Sequence, residues 1–210
     1  MFKTMGLPVL LLALAATHLA IAQSAPDPAA WPARDSHQGM LISADPYSDA
    51  TRAKARFGKK HPQAHGVLAV DVYLRNDTDK PLRVTLDRIL LLIEPPEGRR
   101  QRLSPLTVAE VLDRMLTKDR PGPDGPRPRL PIPRKDSRKE WRKLEELFSP
   151  LALTLGLVPP HSMARGFLFF DLDGRWELLA HAQLYIPELR PLGGEPLLFF
   201  ELELSPRAPR

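Results

Sequence analysis

Proline restricts the fold of this chain more than any other residue, since it occupies 24 of the 210 positions. Each proline ring removes a backbone donor and blocks the interior of a helix. A protein built from long helices is therefore excluded, and short strands joined by loops are favoured. Apolar residues make up 43% of the chain, which is enough for a packed core and excludes wholesale disorder.

The chain contains no cysteine. This excludes disulfides, thiol catalysis, zinc–cysteine sites, iron–sulfur clusters and a lipid-modified N-terminal cysteine. We expect no bound cofactor.

The N-terminus has the pattern of a secretory signal peptide. Lys3 is followed by an apolar stretch over 6–16, and Ala20-Ile21-Ala22 provides small residues around a cleavage position. We predict cleavage after Ala22 and export of the product to the periplasm or the extracellular space. The apolar stretch is shorter than the roughly 20 residues that span a bilayer, and we predict no transmembrane segment after cleavage.

Residues 23–66 are predicted to form an irregular N-terminal arm with a short basic helix. Pro26, Pro28, Pro32 and Pro46 favour irregular structure over 23–46. A helix is predicted after Asp49, with its C-terminal cap at Gly58. Residues 52–60 carry five cations and no acid.

Alternating side chains then predict strands. Over 67–76, Leu68, Val70, Val72 and Leu74 point one way and polar residues the other, which is typical of a half-buried strand. A turn over 76–81, a strand over 82–86 and a hairpin of 89–93 with 101–103 follow. Near the C-terminus, strands are predicted at 166–172, 182–186 and 198–204, with 205–210 as a tail.

Residues 105–157 differ from both strand-rich parts. Thr107 and Glu110 form a capping box that predicts a helix over 108–117. The stretch 120–133 holds six prolines and predicts an exposed loop or extended linker. A second capping box at Ser137 predicts a helix with an apolar stripe, which consists of Trp141, Leu144, Leu147 and Phe148.

About seven short strands without alternating helices favour a mainly β fold. We predict an antiparallel, immunoglobulin-like β-sandwich over 67–204, interrupted by a helical, Pro-rich insertion at 105–157.

Three stretches resemble the telokin-like, immunoglobulin-like domains of bacterial secreted proteins. They are the strand 68–76 ending at Asn76, the turn Lys80-Pro81-Leu82, and the Pro-Pro turn at 159–160 followed by Arg165-Gly166 and an aromatic strand. This resemblance covers about half of the mature chain. It implies a β-sandwich outside the cytoplasmic membrane, usually without catalysis.

The insertion provides the candidate partner-binding site. Aromatic and arginine side chains are enriched where proteins bind each other, and Trp141 lies among Arg138, Arg142 and Lys143, with Phe148 further along the helix. The alternative is that Trp141, Leu144 and Phe148 simply pack on the sandwich. The partner is predicted to be an envelope protein or an anionic envelope polymer. Nucleic acid is not expected, because the basic runs lack interleaved aromatic residues.

Two other functional classes remain open. A periplasmic copper carrier would use His161 and Met163, with His37, Met40, His61 and His65 as further ligand types. A carbohydrate-active enzyme would use Glu201 and Glu203, which lie on one face of the last strand. The turn 171–174 has part of a calcium-loop pattern but lacks its other ligand positions. The predicted function is therefore an exported, non-catalytic protein-binding or structural module of the cell envelope.

Overall fold

The structure is a computed structural model that describes residues 27–116, 135–154 and 156–205. It is mainly β, with three antiparallel sheets. Its strands are β1 Ala33–His37, β2 Met40–Pro46, β3 Val67–Asn76, β4 Leu82–Val84, β5 Leu90–Ile93, β6 Gln101–Leu103, β7 Leu157–Val158, β8 Ser162–Asp171, β9 Ala182–Ile186, β10 Leu189–Pro191 and β11 Phe200–Glu203. Its α-helices are α1 Ala50–Phe57, α2 Val108–Leu116 and α3 Lys135–Phe148.

The largest sheet has the strand order β1-β2-β3-β8, and we call it the central sheet. In it, β3 pairs with β8 along its full length, from Val67 opposite Asp171 to Asn76 opposite Ser162. The predicted strand at 67–76 is confirmed, and the strand predicted from residue 166 begins earlier, at Ser162. The other sheets have the orders β11-β9-β5-β6 and β10-β4-β7, and the predicted hairpin appears as β5 and β6.

The prediction of an irregular arm over 23–46 was wrong for residues 33–46, which form the β1–β2 hairpin. Gln38 and Gly39 connect the two strands with positive φ angles of 50° and 75°, as a two-residue hairpin turn requires. Pro32 precedes the first strand and Pro46 ends the second, so neither removes a donor from the interior of the ladder.

One face of the central sheet, the inner face, packs against the two smaller sheets. It carries the alternating aliphatic side chains of β3, as predicted, together with Ile42 and Phe170. The smaller sheets contribute residues such as Leu91 and Leu184. This aliphatic cluster is the main core of the protein.

The opposite face of the central sheet, the outer face, is covered by the three helices. Here the predicted half-buried strand was wrong, because β3 is buried on both faces over most of its length. An aromatic cluster forms the contact: the Phe57 ring lies 4.9 Å from that of Phe167 and 5.5 Å from that of Phe148. Residues beside the helices also bridge to β8, through Leu106 with Phe169 and Ala152 with Phe167. The segment 105–157 therefore contributes a second core.

The helix starts follow the sequence signals at α1, which begins after Asp49 as predicted, and at α2, but not at α3. The predicted capping box of α2 is confirmed, since the Thr107 N–H donates to Glu110 Oε2 at 2.8 Å and the Glu110 N–H donates to Thr107 Oγ1. α3 instead begins at Lys135, so Ser137 lies within its first turn. Charged residues are compatible with helical backbone, which allows the helix to start before the serine.

The edge strands of two sheets lie side by side, and side chains near β1 bond the backbone of the chain around β11. His37 Nε2 lies 3.2 Å from the Phe199 carbonyl oxygen, and the Leu198 N–H donates to Gln38 Oε1 at 2.7 Å. The Glu201 N–H donates to Asp35 Oδ2 at 3.4 Å.

In the described ranges, no helix combines the length and apolarity that crossing a membrane requires.

Candidate binding surface

α3 is fixed to the outer face by one stripe of its surface. Trp141, Leu144 and Phe148 are spaced three and four residues apart, which places them on one side of a helix. Phe148 is fully buried, and its ring lies 5.9 Å from that of Phe169. The prediction that Phe148 contributes to the partner site is therefore corrected. Its side chain belongs to the aromatic core and is not exposed to a partner.

Trp141 lies at the margin of the same stripe. Its indole is half-buried and packs against the aromatic cluster on the outer face. Part of its ring therefore contributes to packing, and the rest lies at the surface beside the cations of α3.

The three cations predicted for the site, Arg138, Arg142 and Lys143, are all exposed. Helical spacing directs them away from the buried stripe, because each residue is rotated by about 100° from the one before it. Lys139 is exposed as well. The structure thus keeps four cations of α3 at the surface while its apolar stripe is held in the core.

The structure brings a second basic segment to α3, which the sequence did not predict. Lys60 pairs with Glu140, which lies 80 residues further along the chain. Phe57 at the end of α1 stacks on Phe148 at the end of α3. The cations of 52–60 and those of α3 therefore lie on the same side of the molecule. We call them the basic face, which consists of Arg52, Lys54, Arg56, Lys59, Lys60, Arg138, Lys139, Arg142 and Lys143.

Two arginines of the basic face are held in place by neighbours. The Arg52 guanidinium donates to Asp45, with 2.8 Å between Nη1 and Oδ1, and lies 4.1 Å from the centre of the Tyr47 ring. This hydrogen bond to Asp45 raises the pKa of Arg52. Arg56 lies over the Phe167 ring at 5.4 Å. Cation–π contacts of this kind fix the direction of the side chain.

The basic face concentrates the positive charge of the protein. The segments 50–60 and 138–148 hold nine Lys or Arg and three Glu, and Asp45 pairs with Arg52, so the formal net charge of this face is +5, equal to that of the whole chain. The remainder of the chain is therefore formally neutral. Both basic runs are visible in the sequence, but their proximity depends on packing between residues far apart.

The charges of α3 also oppose its own dipole. Arg138 and Lys139 lie close to the N-terminus, and Glu145 and Glu146 lie in the last turn. Cations stabilise helix C-termini and acids stabilise N-termini, each by about 0.3–1 kcal/mol. Arg138, Lys139, Glu145 and Glu146 therefore interact unfavourably with the helix dipole.

The candidate copper ligands His161 and Met163 lie on the surface at the start of β8. His161 Nε2 is 2.9 Å from Asp79 Oδ1, and the Met163 side chain is 67% exposed, with its sulfur accepting from the Tyr73 hydroxyl. The other ligand types have separate roles: Met40 lies in the aliphatic core, and His61 accepts a bond from the Ala64 N–H. Among the described residues, no group of three or more His, Cys, Asp or Glu is arranged to hold a metal ion.

The remaining predicted carboxylates line two cavities. Glu201 and Glu203 are exposed and border a cavity of about 510 Å³ together with Arg34 and Asp45. Asp173 borders another of about 500 Å³ with His65, whose pKa is lowered mainly by burial. In the same turn, Asp171 pairs with Arg114 from α2.

Comparison with known proteins gives little for this chain. No family model matches the sequence, and no curated protein matches it. A crystal structure of a functionally unknown protein from Listeria monocytogenes EGD-e is similar at 15% identity and a TM-score of 0.34, over 73% of this chain and 70% of that one. A similarity at this level carries no functional argument.

Proposed function

We propose that this protein is an exported, non-catalytic binding module of the cell envelope, and that the basic face is its binding surface. The observation that carries the proposal is that two basic segments lie side by side over one aromatic cluster. They are joined by the ion pair of Lys60 with Glu140, two residues that are 80 positions apart in the sequence. Export is proposed from the signal-peptide pattern of residues 1–22, which lie outside the described residues.

Cations gathered on one surface repel each other, and the repulsion is only partly screened at physiological salt, where the Debye length is about 8 Å. Arg138 and Lys139, close to the N-terminus of α3, also oppose its dipole. A surface that gathers like charges at some cost in folding stability and leaves most of them without an ion-pair partner among the described residues is suited to an anionic partner.

The architecture is suited to a binding role. Packing in the aromatic cluster holds both helices of the basic face against the central sheet, whose other face is fixed by the aliphatic core, so the charged side chains have a fixed scaffold. Within the proposal, the sandwich is of the immunoglobulin-like, telokin-like type that the sequence resembles.

The proposal is tested by crosslinking in cells that export the full-length chain, followed by mass spectrometry of captured envelope components. The variant Arg142→Gln/Lys143→Gln should lose the captured partner while its melting temperature stays within a few degrees of the parent. The control Arg99→Gln/Arg102→Gln changes the net charge equally at exposed positions outside the basic face and should retain the partner. Equal capture by both variants would contradict the role of the basic face.

Export is tested separately by the mass of the product recovered outside the cytoplasm, which should begin at Gln23. An intact N-terminus on a cytoplasmic product would overturn this part of the proposal.

A further inference from the structure

We propose that the basic face binds the surface of an anionic phospholipid bilayer, and that Leu147 enters the headgroup layer when it does. This inference rests on the proposed function, because it takes the basic face as the binding surface and names the partner.

The first observation is the position of an exposed apolar side chain within the basic face. Leu147 is 41% exposed although it lies one residue before the fully buried Phe148. It follows Lys139 and Lys143 at intervals of four residues, so these three side chains form one line along α3. A single exposed leucine is ordinary on a protein surface, but this one continues a row of cations.

The second observation places cations on the other side of Leu147. Glu140 lies on the same flank of α3 as Leu147, because seven residues correspond to about two helical turns. Glu140 pairs with Lys60, so this flank faces the basic segment that follows α1. Leu147 is therefore positioned between the cations of α3 and those of 52–60.

The third observation is the rigidity of this arrangement. Leu144 and Phe148, on either side of Leu147 along the chain, are both buried in the outer-face core. α3 thus cannot turn Leu147 inward without removing Phe148 from its stack on Phe57. The apolar side chain remains exposed in the folded protein.

These observations favour a lipid surface over a soluble polyanion. Lipid phosphates lie at the level that Lys and Arg side chains reach, with an apolar layer below them for Leu147. A soluble polyanion would pair with the cations but would gain nothing from the leucine. Near an anionic membrane, each Lys or Arg contributes roughly fivefold to affinity, and the contribution falls as salt rises.

The experiment uses purified protein that begins at Gln23, and vesicles of phosphatidylcholine with or without phosphatidylglycerol. Co-sedimentation should occur only with the phosphatidylglycerol vesicles and should weaken as salt is added. Arg142→Gln/Lys143→Gln should lower the affinity by at least about tenfold, whereas the control Arg99→Gln/Arg102→Gln should change it less than threefold.

The leucine is tested against a matched exposed residue. Leu147→Ser should lower vesicle affinity several-fold, and Leu157→Ser, at a 43% exposed leucine outside the basic face, should not. Both leucines are partly exposed, so the melting temperature of each variant should stay within a few degrees of the parent. Equal vesicle affinity for the two variants would overturn the insertion of Leu147.

Inorganic polyphosphate serves as the soluble polyanion. Binding to polyphosphate without binding to phosphatidylglycerol vesicles would overturn the lipid inference and identify a polymer-type partner. Absence of vesicle binding, with a crosslinked protein lost in Arg142→Gln/Lys143→Gln, would overturn the lipid inference and leave the proposed function standing. If neither vesicle binding nor dependence of crosslinking on these cations is seen, both proposals fail.

Discussion

The two faces of the central sheet are equally buried along much of β3 and β8, yet they are built differently. The inner face carries aliphatic side chains and packs against other strands. The outer face carries an aromatic cluster under helices and, nearer one end, the ion pair of Asp71 with Arg165. The inner face therefore rests on sheet-to-sheet packing, whereas the outer face depends on a few large rings and one buried carboxylate.

The largest expected effect comes from removing one ring on each face. Phe170 on the inner face and Phe148 on the outer face are both fully buried. Phe148→Ala and Phe170→Ala should each lower the free energy of unfolding by about 3–5 kcal/mol in urea titrations. Hydrogen exchange should separate them, because only Phe148→Ala should expose the amides of α3 selectively. If Phe148→Ala lowered the free energy of unfolding by less than about 1 kcal/mol, the aromatic cluster on the outer face would not be a core that stabilises the fold.

The next effect concerns the ion pair on the outer face. Asp71 has a side chain only 3% exposed and accepts bonds of 3.0 and 2.8 Å from Arg165, whose side chain is 46% exposed. Arg165→Ala leaves a buried carboxylate without its partner and should cost about 3 kcal/mol of unfolding free energy. Asp71→Asn removes the charge and should cost less, about 1 kcal/mol. Thermal melts of both variants decide the order, and a larger loss for Asp71→Asn would contradict it.

A smaller effect is expected where the segment 151–153 runs alongside β8, joined to it by backbone hydrogen bonds of Phe167 with Leu151 and Leu153. At Gly166, an added Cβ would lie 2.6 Å from Leu153 Cα and 2.7 Å from its nitrogen. Because these are backbone atoms, Gly166→Ala should lower the free energy of unfolding by about 1–3 kcal/mol. Gly156→Ala is the matched control, since an added Cβ meets nothing within 4 Å there, and it should change stability by less than about 0.5 kcal/mol.

The smallest effect is a pH dependence at the start of α2, which covers the outer face. Hydrogen bonds from the Thr107 N–H and hydroxyl lower the pKa of Glu110. Because the folded pKa lies below the unfolded one, the stabilisation is present above about pH 4.3 and is lost as the pH falls through the folded value. Glu110 is exposed, so Glu110→Gln should cost only a few tenths of a kcal/mol at pH 7 and nothing near pH 2. Urea titrations at both pH values test this, and an equal cost at both would contradict it.

The sequence was informative where structure is decided by neighbours along the chain. The alternation over 67–76 predicted the inner face of β3, and Thr107 with Glu110 predicted the start of α2. The turn at Asn76 was also predicted from its composition, but not that its side-chain amide donates to the carbonyl oxygens of Lys80 and Pro159. Local periodicity determines such elements because the apolar face and the cap lie within a few residues.

The sequence was uninformative where partners lie far apart. The prolines at 32 and 46 suggested an arm because composition does not show that both fall at the ends of a ladder. The buried outer face of β3 depends on the helices at 50–57, 108–116 and 135–148. The basic face could be predicted only as two separate runs, since the pairing of Lys60 with Glu140 depends on the stacking of Phe57 on Phe148.

The hydrogen bonds that Asp35, His37 and Gln38 make with the chain around β11 also affect how one molecule meets another. Open strand edges are templates on which further copies of a chain can add and grow into fibrils. Here three polar side chains already form hydrogen bonds with backbone groups of the chain around β11, so an incoming strand would have to displace them first. Concentrated solutions of the folded protein should therefore resist seeding at this border, a protection that comes from three residues beside a tight turn.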